Sequence, residues 1–348
     1  MAHELYRVTV SSRQKILPDT TRLTLRGDFS RLDTGGPLGL RDMRIKVLIG
    51  GTRRDELIPA DLMDPCAYRA WLAHDESERG ALRTYTVASR LTGETTGNDL
   101  STIDIDVVTG DHHGPGSTWA RTAEPGDDVL VFLSTRADSD AELSDEELSE
   151  DYTIPGIEYA PEQAHRVVLV GDTTALPAIR AIGWAEATSA HPRTVSAIIA
   201  APMGTAESEG QLEGIASVTW VTPSELVASS VAHVWRVYEE VLRESGSLCA
   251  DTCNAACELD DDAPVTSLSD GVLWDTPAQR RLLAQSITNA QQTQSIPCTL
   301  HPGEDCDCQR NLFVWVAGES SKVVAIRRAL VSQIGMKRRD VAFMGYWR

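Results

Sequence analysis

Residues 166–170, Arg-Val-Val-Leu-Val, form an apolar run that does not alternate, and Gly171-Asp172 and a helix-like stretch over 175–187 follow at once. A strand with no polar face is buried on both sides, the condition of a strand inside a parallel sheet with helices above and below. The rhythm continues with strand-like 195–200 and 218–221, helical 225–243, strand-like 312–317 and helical 321–334. The second half of the chain is therefore expected to be an open α/β domain built on a parallel sheet.

The first third reads differently. Short strand-like stretches at 5–11, 22–26, 43–49, 83–88, 103–108 and 129–133 are separated by turn-rich spacers, with no long helix between them. Thr-Ile-Asp-Ile-Asp-Val-Val alternates well, as a strand with one buried face should. Six such strands predict a small antiparallel barrel. A chain of 348 residues exceeds one ordinary core, so the expected fold is a six-stranded antiparallel barrel over 1–137, an acidic linker over 138–160, and an open parallel-sheet nucleotide-binding domain over 161–348. Within the last, residues 245–310 break the rhythm and read as a Cys-containing insertion with a helical segment at 276–291.

Four motifs carry chemistry. Arg83-Thr84-Tyr85-Thr86 lies on an expected barrel strand, where alternation puts Arg83 and Tyr85 on one face and Thr84 and Thr86 on the other. A fixed cation, an aromatic plane and a hydroxyl suit a flavin; an ordinary strand with an exposed Arg and a packed Tyr would look the same. Gly114-Pro115-Gly116-Ser117-Thr118-Trp119-Ala120 couples a glycine turn to a helix start, where backbone amides and the Ser117 and Thr118 hydroxyls favour a phosphate. The alternative is a hairpin-to-helix turn capped by Ser. Gly171-Asp172-Thr173-Thr174-Ala175-Leu176-Pro177-Ala178 sits at the carboxyl end of the first parallel strand, where such sheets bind ligands, or else is a well-capped connection. Trp315-Val316-Ala317-Gly318-Glu319 ends a later strand at the same sheet edge, Glu319 also being a residue that favours a helix start electrostatically.

Together with Met43-Arg44-Ile45-Lys46-Val47-Leu48 and the terminal Gly345-Tyr346-Trp347-Arg348, these motifs resemble the siderophore-interacting protein family over most of the chain outside the insertion. The resemblance implies FAD on the barrel, with Arg83, Thr84, Tyr85 and Thr86 at the flavin, Gly114, Pro115, Gly116, Ser117 and Thr118 around its phosphates, and Trp119 packed beneath that turn. Thr109 and His112 belong to the same neighbourhood. It further implies an NAD(P)H site bordered by Asp172, Thr174, Ala175, Gly318 and Glu319, with Tyr346 and Trp347 near the flavin or closing the domain interface. The expected reaction is transfer of electrons from NAD(P)H to a ferric siderophore with release of ferrous iron, no side chain acting as a nucleophile. Arg44, Lys46 and Arg348 are candidate contacts for the anionic chelate, and solvated surface charges otherwise. The chain departs from the family pattern at Thr109, where His is frequent, and at Thr173, where an acidic residue is usual.

Charge and cysteines bound the rest. A net charge of −19 repels phosphate backbones and anionic membranes, which argues against nucleic acid or membrane partners. No apolar run approaches the roughly 20 residues that span a bilayer, and the first residues lack a signal core, so the expected location is cytoplasmic. Cys66 stands apart as a structural residue. The other six cysteines, Cys249, Cys253, Cys257, Cys298, Cys306 and Cys308, cluster in the insertion as candidate ligands of an iron–sulfur cluster or, with His301, of zinc. Their spacing matches neither a zinc ribbon nor a ferredoxin run, and reduced or oxidised thiols are the alternative. Two other functions stay open: a flavin- or ferric-chelate-binding protein without nicotinamide turnover, and a metal-cluster-containing iron-handling protein supplied by a ferredoxin.

Overall fold

A computed structural model describes residues 2–29, 32, 40–59, 65–88, 101–110, 113–135, 156–161, 164–202, 205, 212–244, 267–268, 272–277 and 311–348. The acidic run 138–151 lies outside the described residues, as does most of the expected helix 276–291. The chain divides into two compact units, Met1–Ile157 with Arg180–Ala185, and Glu158–Ile179 with Glu186–Arg348. Among the described residues no helix is long and apolar enough to cross a membrane.

The first unit is an antiparallel sheet of six strands: β1 Ala2–Leu17, β2 Thr20–Arg26, β3 Arg44–Ile49, β4 Ala81–Thr86, β5 Thr102–Val108 and β6 Asp128–Thr135. They follow the order β4-β3-β6-β1-β2-β5. The two edge strands meet where Val87 pairs with Ile105 and Ala88 N–H bonds to Asp104 O at 2.8 Å, so the sheet curls into a barrel. Alternation fills it: Val8 and Val10, Leu23 and Leu25, Ile45 and Val47, Ile103 and Ile105, Val129 and Val131 all enter one buried cluster. The out-of-phase Leu48 and Leu130 face the other way and are covered by Trp71, 2% exposed, from α2 (Pro65–Leu72). With α1 (Arg54–Leu57) and α3 (Glu76–Arg79), this helical patch between β3 and β4 was not expected from sequence. Helix α4, Pro115–Thr122, links β5 to β6.

The second unit carries a seven-stranded sheet. Strands β7 Arg166–Asp172, β8 Thr194–Ala200, β9 Ser217–Val221, β12 Leu312–Glu319 and β13 Val341–Trp347 are parallel, and β11 Val272–Asp275 pairs antiparallel with β13 and with β10, Ser267–Leu268. The order is β10-β11-β13-β12-β7-β8-β9. From β7 the chain winds outward through β8 and β9, then returns to the other side of β7 with β12 and β13, which makes the β7/β12 junction the point of reversal where open α/β sheets bind ligands. Helices α5 (Leu176–Thr188), α6 (Leu226–Glu244) and α7 (Ser320–Arg328) accompany the parallel strands, and α7 widens into a π turn at Ala329–Gln333. Val168, Val170, Val314, Val316, Val341 and Phe343 pack under Leu226, Val234, Val323 and Ile326. Asp275, on the returning strand β11, is almost wholly buried between Arg327 and Arg338, each 3.1 Å away.

Candidate functional site

In the barrel unit, the strand motif and the glycine motif meet. Gly114 starts α4 in extended backbone with Pro115 in the first turn, and the first amide bond of that turn runs from Thr118 N–H to Gly114 O at 3.0 Å. The earlier amides of Gly116 and Ser117 precede this ladder, as at any helix start. A Cβ on Gly116 would collide with Tyr85 Oη and lie 3.9 Å from Arg83 Cγ, so the absence of a side chain lets Tyr85 rest against the helix start. At Gly114 a Cβ would meet nothing within 4 Å. An open glycine turn at a helix start beside a tyrosine and an arginine is a cradle that fits a dinucleotide phosphate.

The individual side chains divide their work. Burial holds the Tyr85 phenol well above its ordinary pKa, against the opposing effect of Arg83, so it remains a neutral hydroxyl. The Arg83 guanidinium donates to Leu82 O at 2.8 Å, stands 3.8 Å from Glu76 and keeps 40% of its side chain exposed. Thr86 is buried while Thr84 is exposed. Ser117 donates its hydroxyl to Val108 O at 3.0 Å, so that proton is spent inside the protein. Thr109 is buried and its hydroxyl donates to Asp19 O at 3.2 Å, with Arg121 bonded to its carbonyl, which makes it a brace between β5 and the β1–β2 turn. Trp119 packs partly buried on the barrel core. Arg44 and Lys46 pair across from Thr86 and Thr84 in the β3–β4 register, so both cationic candidates share the flavin motif's neighbourhood, Lys46 exposed and Arg44 half-buried. His112 lies outside the described residues.

In the α/β unit, Asp172 gathers three strand ends. Its Oδ1 accepts the Thr174 N–H at 2.9 Å and the Thr174 hydroxyl at 2.5 Å; its Oδ2 accepts the Glu319 N–H and the Trp347 Nε1–H, each at 2.9 Å. A carboxylate has about four acceptor positions, and all are taken. Asp172 is therefore an organiser of the edge, and little acceptor capacity is left for a ligand. Burial raises its pKa, against the lowering effect of these donors. Gly318 makes the approach possible: at φ +143° a Cβ there would stand 2.5 Å from Asp172 Oδ2. Ala175 is fully buried, its N–H bonded to Asp172 O at 2.9 Å, so its side chain supports the turn from beneath. Tyr346 sets its ring edge-on to Trp315, centroids 6.5 Å apart, and Arg348 is exposed. The motifs set Asp172 at the nicotinamide site and Trp347 near the flavin or at the domain interface; the bond that joins the two, 175 residues apart in the chain, has no sequence signal.

Cys249, Cys253, Cys257, Cys298, Cys306 and Cys308 lie outside the described residues. Among the described residues no three His, Cys, Asp or Glu side chains group as metal ligands.

The chain thus carries a six-stranded antiparallel barrel with a glycine turn opening α4, followed in sequence by an open parallel-sheet unit whose strand order reverses at β7/β12. Residues 9–134 match the profile described as the siderophore-interacting FAD-binding domain, and residues 164–348 the profile described as siderophore-interacting protein. The chain belongs to the siderophore-interacting protein family. Its fold is similar to the siderophore-interacting protein SipS from Aeromonas hydrophila at 19% identity and TM-score 0.53, covering 99% of this chain and 92% of that one. It is also similar to a siderophore utilization protein from T. fusca, at 19% identity and TM-score 0.49 over 100% and 94% of the two chains. No curated protein sequence matches the chain.

Proposed function

We propose that this chain is an FAD-dependent, cytoplasmic reductase that takes electrons from NAD(P)H and delivers them to a ferric siderophore. The observation that carries the reading is the contact of Tyr85 with the side-chain-free Gly116, which brings cation, aromatic and helix start together at one cradle. Bound FAD supplies the conversion between a two-electron hydride donor and a one-electron ferric acceptor. Arg83 and the amides opening α4 hold its phosphates, while Tyr85 and Thr86 hold its ring system. Gly318, Glu319 and the Thr174 turn receive the nicotinamide end of the donor on an edge that Asp172 keeps in shape. Arg44 and Lys46 on β3 offer positive charge to an anionic chelate against the protein's overall negative field. Hard oxygen donors grip ferric iron more firmly than ferrous iron, so reduction loosens the metal and spares the chelator.

The test is an anaerobic visible spectrum of the FAD-loaded protein, to which NADH or NADPH and then a ferric siderophore are added. The flavin band is expected to bleach with a nicotinamide and recover with the chelate, two ferric ions being reduced per hydride. A protein that cannot be loaded with FAD, or whose flavin ignores both nicotinamides, overturns the reading.

A further inference from the structure

Helix α6 has an apolar side that its own sheet does not use. Leu226, Val234 and Val241 are buried on the strands. Val227, Val231 and Trp235, further round the helix, look instead into a groove of about 700 Å³ shared with α7. Ala228 and Ala232 line it from α6, and Ala325 and Ala329 from α7, so the two helices leave between them the room that longer side chains would take. The π turn of α7, where Ile334 N–H donates to Ala329 O at 3.0 Å, runs along the same groove. Trp235 is 44% exposed, more than any other large hydrophobic side chain among the described residues. A contiguous apolar groove beside an exposed indole marks a contact surface.

Charge and shape decide what covers it. None of the groove's lining residues is charged, although 24% of the chain's residues are and its net charge is −19. Two such chains repel one another at long range, so they can meet only where carboxylates are absent or are answered by cations. The rim answers them. Glu225 and Arg236 stand about three turns apart on α6 and so on one side of it. An antiparallel second α6, related by a two-fold axis near Val231, sets each Arg236 beside Glu225 of the other copy and each Trp235 against Ala228 of the other copy. Glu239 continues the Trp235 row by one turn, and Lys322 precedes Ala325 by three residues at the opposite end of the groove. The same two-fold therefore brings Glu239 of one copy to Lys322 of the other. Among the described residues Arg236, Glu239 and Lys322 form no ion pair within the chain. A surface that carries knob and hole, and both signs of charge, in positions that a two-fold exchanges is built for an isologous contact.

We propose that the α6–α7 face is a homodimer interface, in which α6 of a second copy lies antiparallel over the groove and fills it with Trp235. Sedimentation velocity of the full-length protein, with FAD added, is expected to show a concentration-dependent species of twice the chain mass. Ala232→Glu keeps a good helix former at an exposed position and sets two like charges beside the axis, so it is expected to leave a monomer with unchanged far-ultraviolet circular dichroism. Trp235→Ala is expected to weaken dimerisation at least about tenfold. Lys322→Glu and Glu239→Lys each weaken it, and the double exchange is expected to recover most of the loss. A protein that is monomeric at every concentration, a dimer indifferent to Ala232→Glu, or charge variants whose losses simply add overturns the proposal. With a monomer, binding of an apolar dye that depends on Trp235 assigns the groove to a small apolar ligand or another protein, and no such binding assigns it to a segment of this chain.

Discussion

Gly116 and Asp172 show how much of each site depends on a single residue's chemistry. At Gly116 an added methyl meets the far end of a tyrosine, which can swing aside, so the fold absorbs Gly116→Ala while the cradle does not. FAD affinity is expected to fall about tenfold or more, the equivalent of about 1.4 kcal/mol for one displaced aromatic contact, read by flavin fluorescence titration. Gly114→Ala, with open space around its Cβ, leaves Tyr85 in place and serves as the steric contrast. Asp172→Asn has the opposite character. An amide keeps one acceptor oxygen and turns an NH2 toward two of the four donors, so the variant is expected to lose about 3 kcal/mol in denaturant unfolding, from roughly 1–3 kcal/mol per stranded buried donor. The sign of its pH dependence follows from the raised pKa. Between the ordinary value of 3.8 and the folded value, the folded protein holds a proton that the unfolded chain has released, so Asp172's contribution falls as pH rises through that window. The wild-type advantage over Asp172→Asn should therefore be larger at the acidic end of that window, and an advantage that grows with pH there contradicts the assignment. Motif types made both residues candidates from sequence; that Asp172 is saturated by its own protein became visible only when β7, β12 and β13 were aligned.

Elements were legible in proportion to the periodicity behind them. The six barrel strands alternate and could be read directly, and the nonalternating runs at 166–170 and 312–317 announced the parallel sheet. Helices α1 and α3, four residues each, are too short to show a period, and α2 owes its position to Trp71 covering Leu48 and Leu130, a tertiary match without a local signal. Strand β13 shows in the sequence only as a terminal motif, since Val341-Ala-Phe-Met344 is too short an apolar run to tell strand from helix, and β11 lies inside the segment that reads as an insertion. The start of α6 offers an element-scale test. Glu225 has its folded pKa lowered beneath 4.5, so its contribution is present above that value and is lost as pH falls through the folded value. Glu225→Ala is expected to lower the thermal midpoint at about pH 6, and by progressively less as the pH falls through the folded value. A gap of constant size across that range would mean that the Thr222–Glu225 cap does not depend on charge.

At the scale of the whole molecule, the proposed reading gives a chain of net charge −19 ligands that are all anions: FAD, a pyridine dinucleotide and a ferric chelate. Two fields then compete, the long-range repulsion of the whole surface and the short-range attraction of a few cations such as Arg83, Arg44 and Lys46. Ionic strength separates them, since the screening length is about 30 Å at 0.01 M and about 10 Å at 0.1 M. Across that interval the global field is cut off before a ligand arrives, while a guanidinium within hydrogen-bonding distance is affected far less. The association rate of NADH with the FAD-loaded protein, followed by stopped-flow bleaching, is therefore expected to rise with added salt, and that of an anionic ferric siderophore to rise less because Arg44 and Lys46 lie beside its proposed landing strand. If both rates instead fall with salt, attraction prevails at the distances where encounters are decided. The acidic excess would then have to be concentrated away from the sites, and charge reversal of exposed carboxylates would map where it lies.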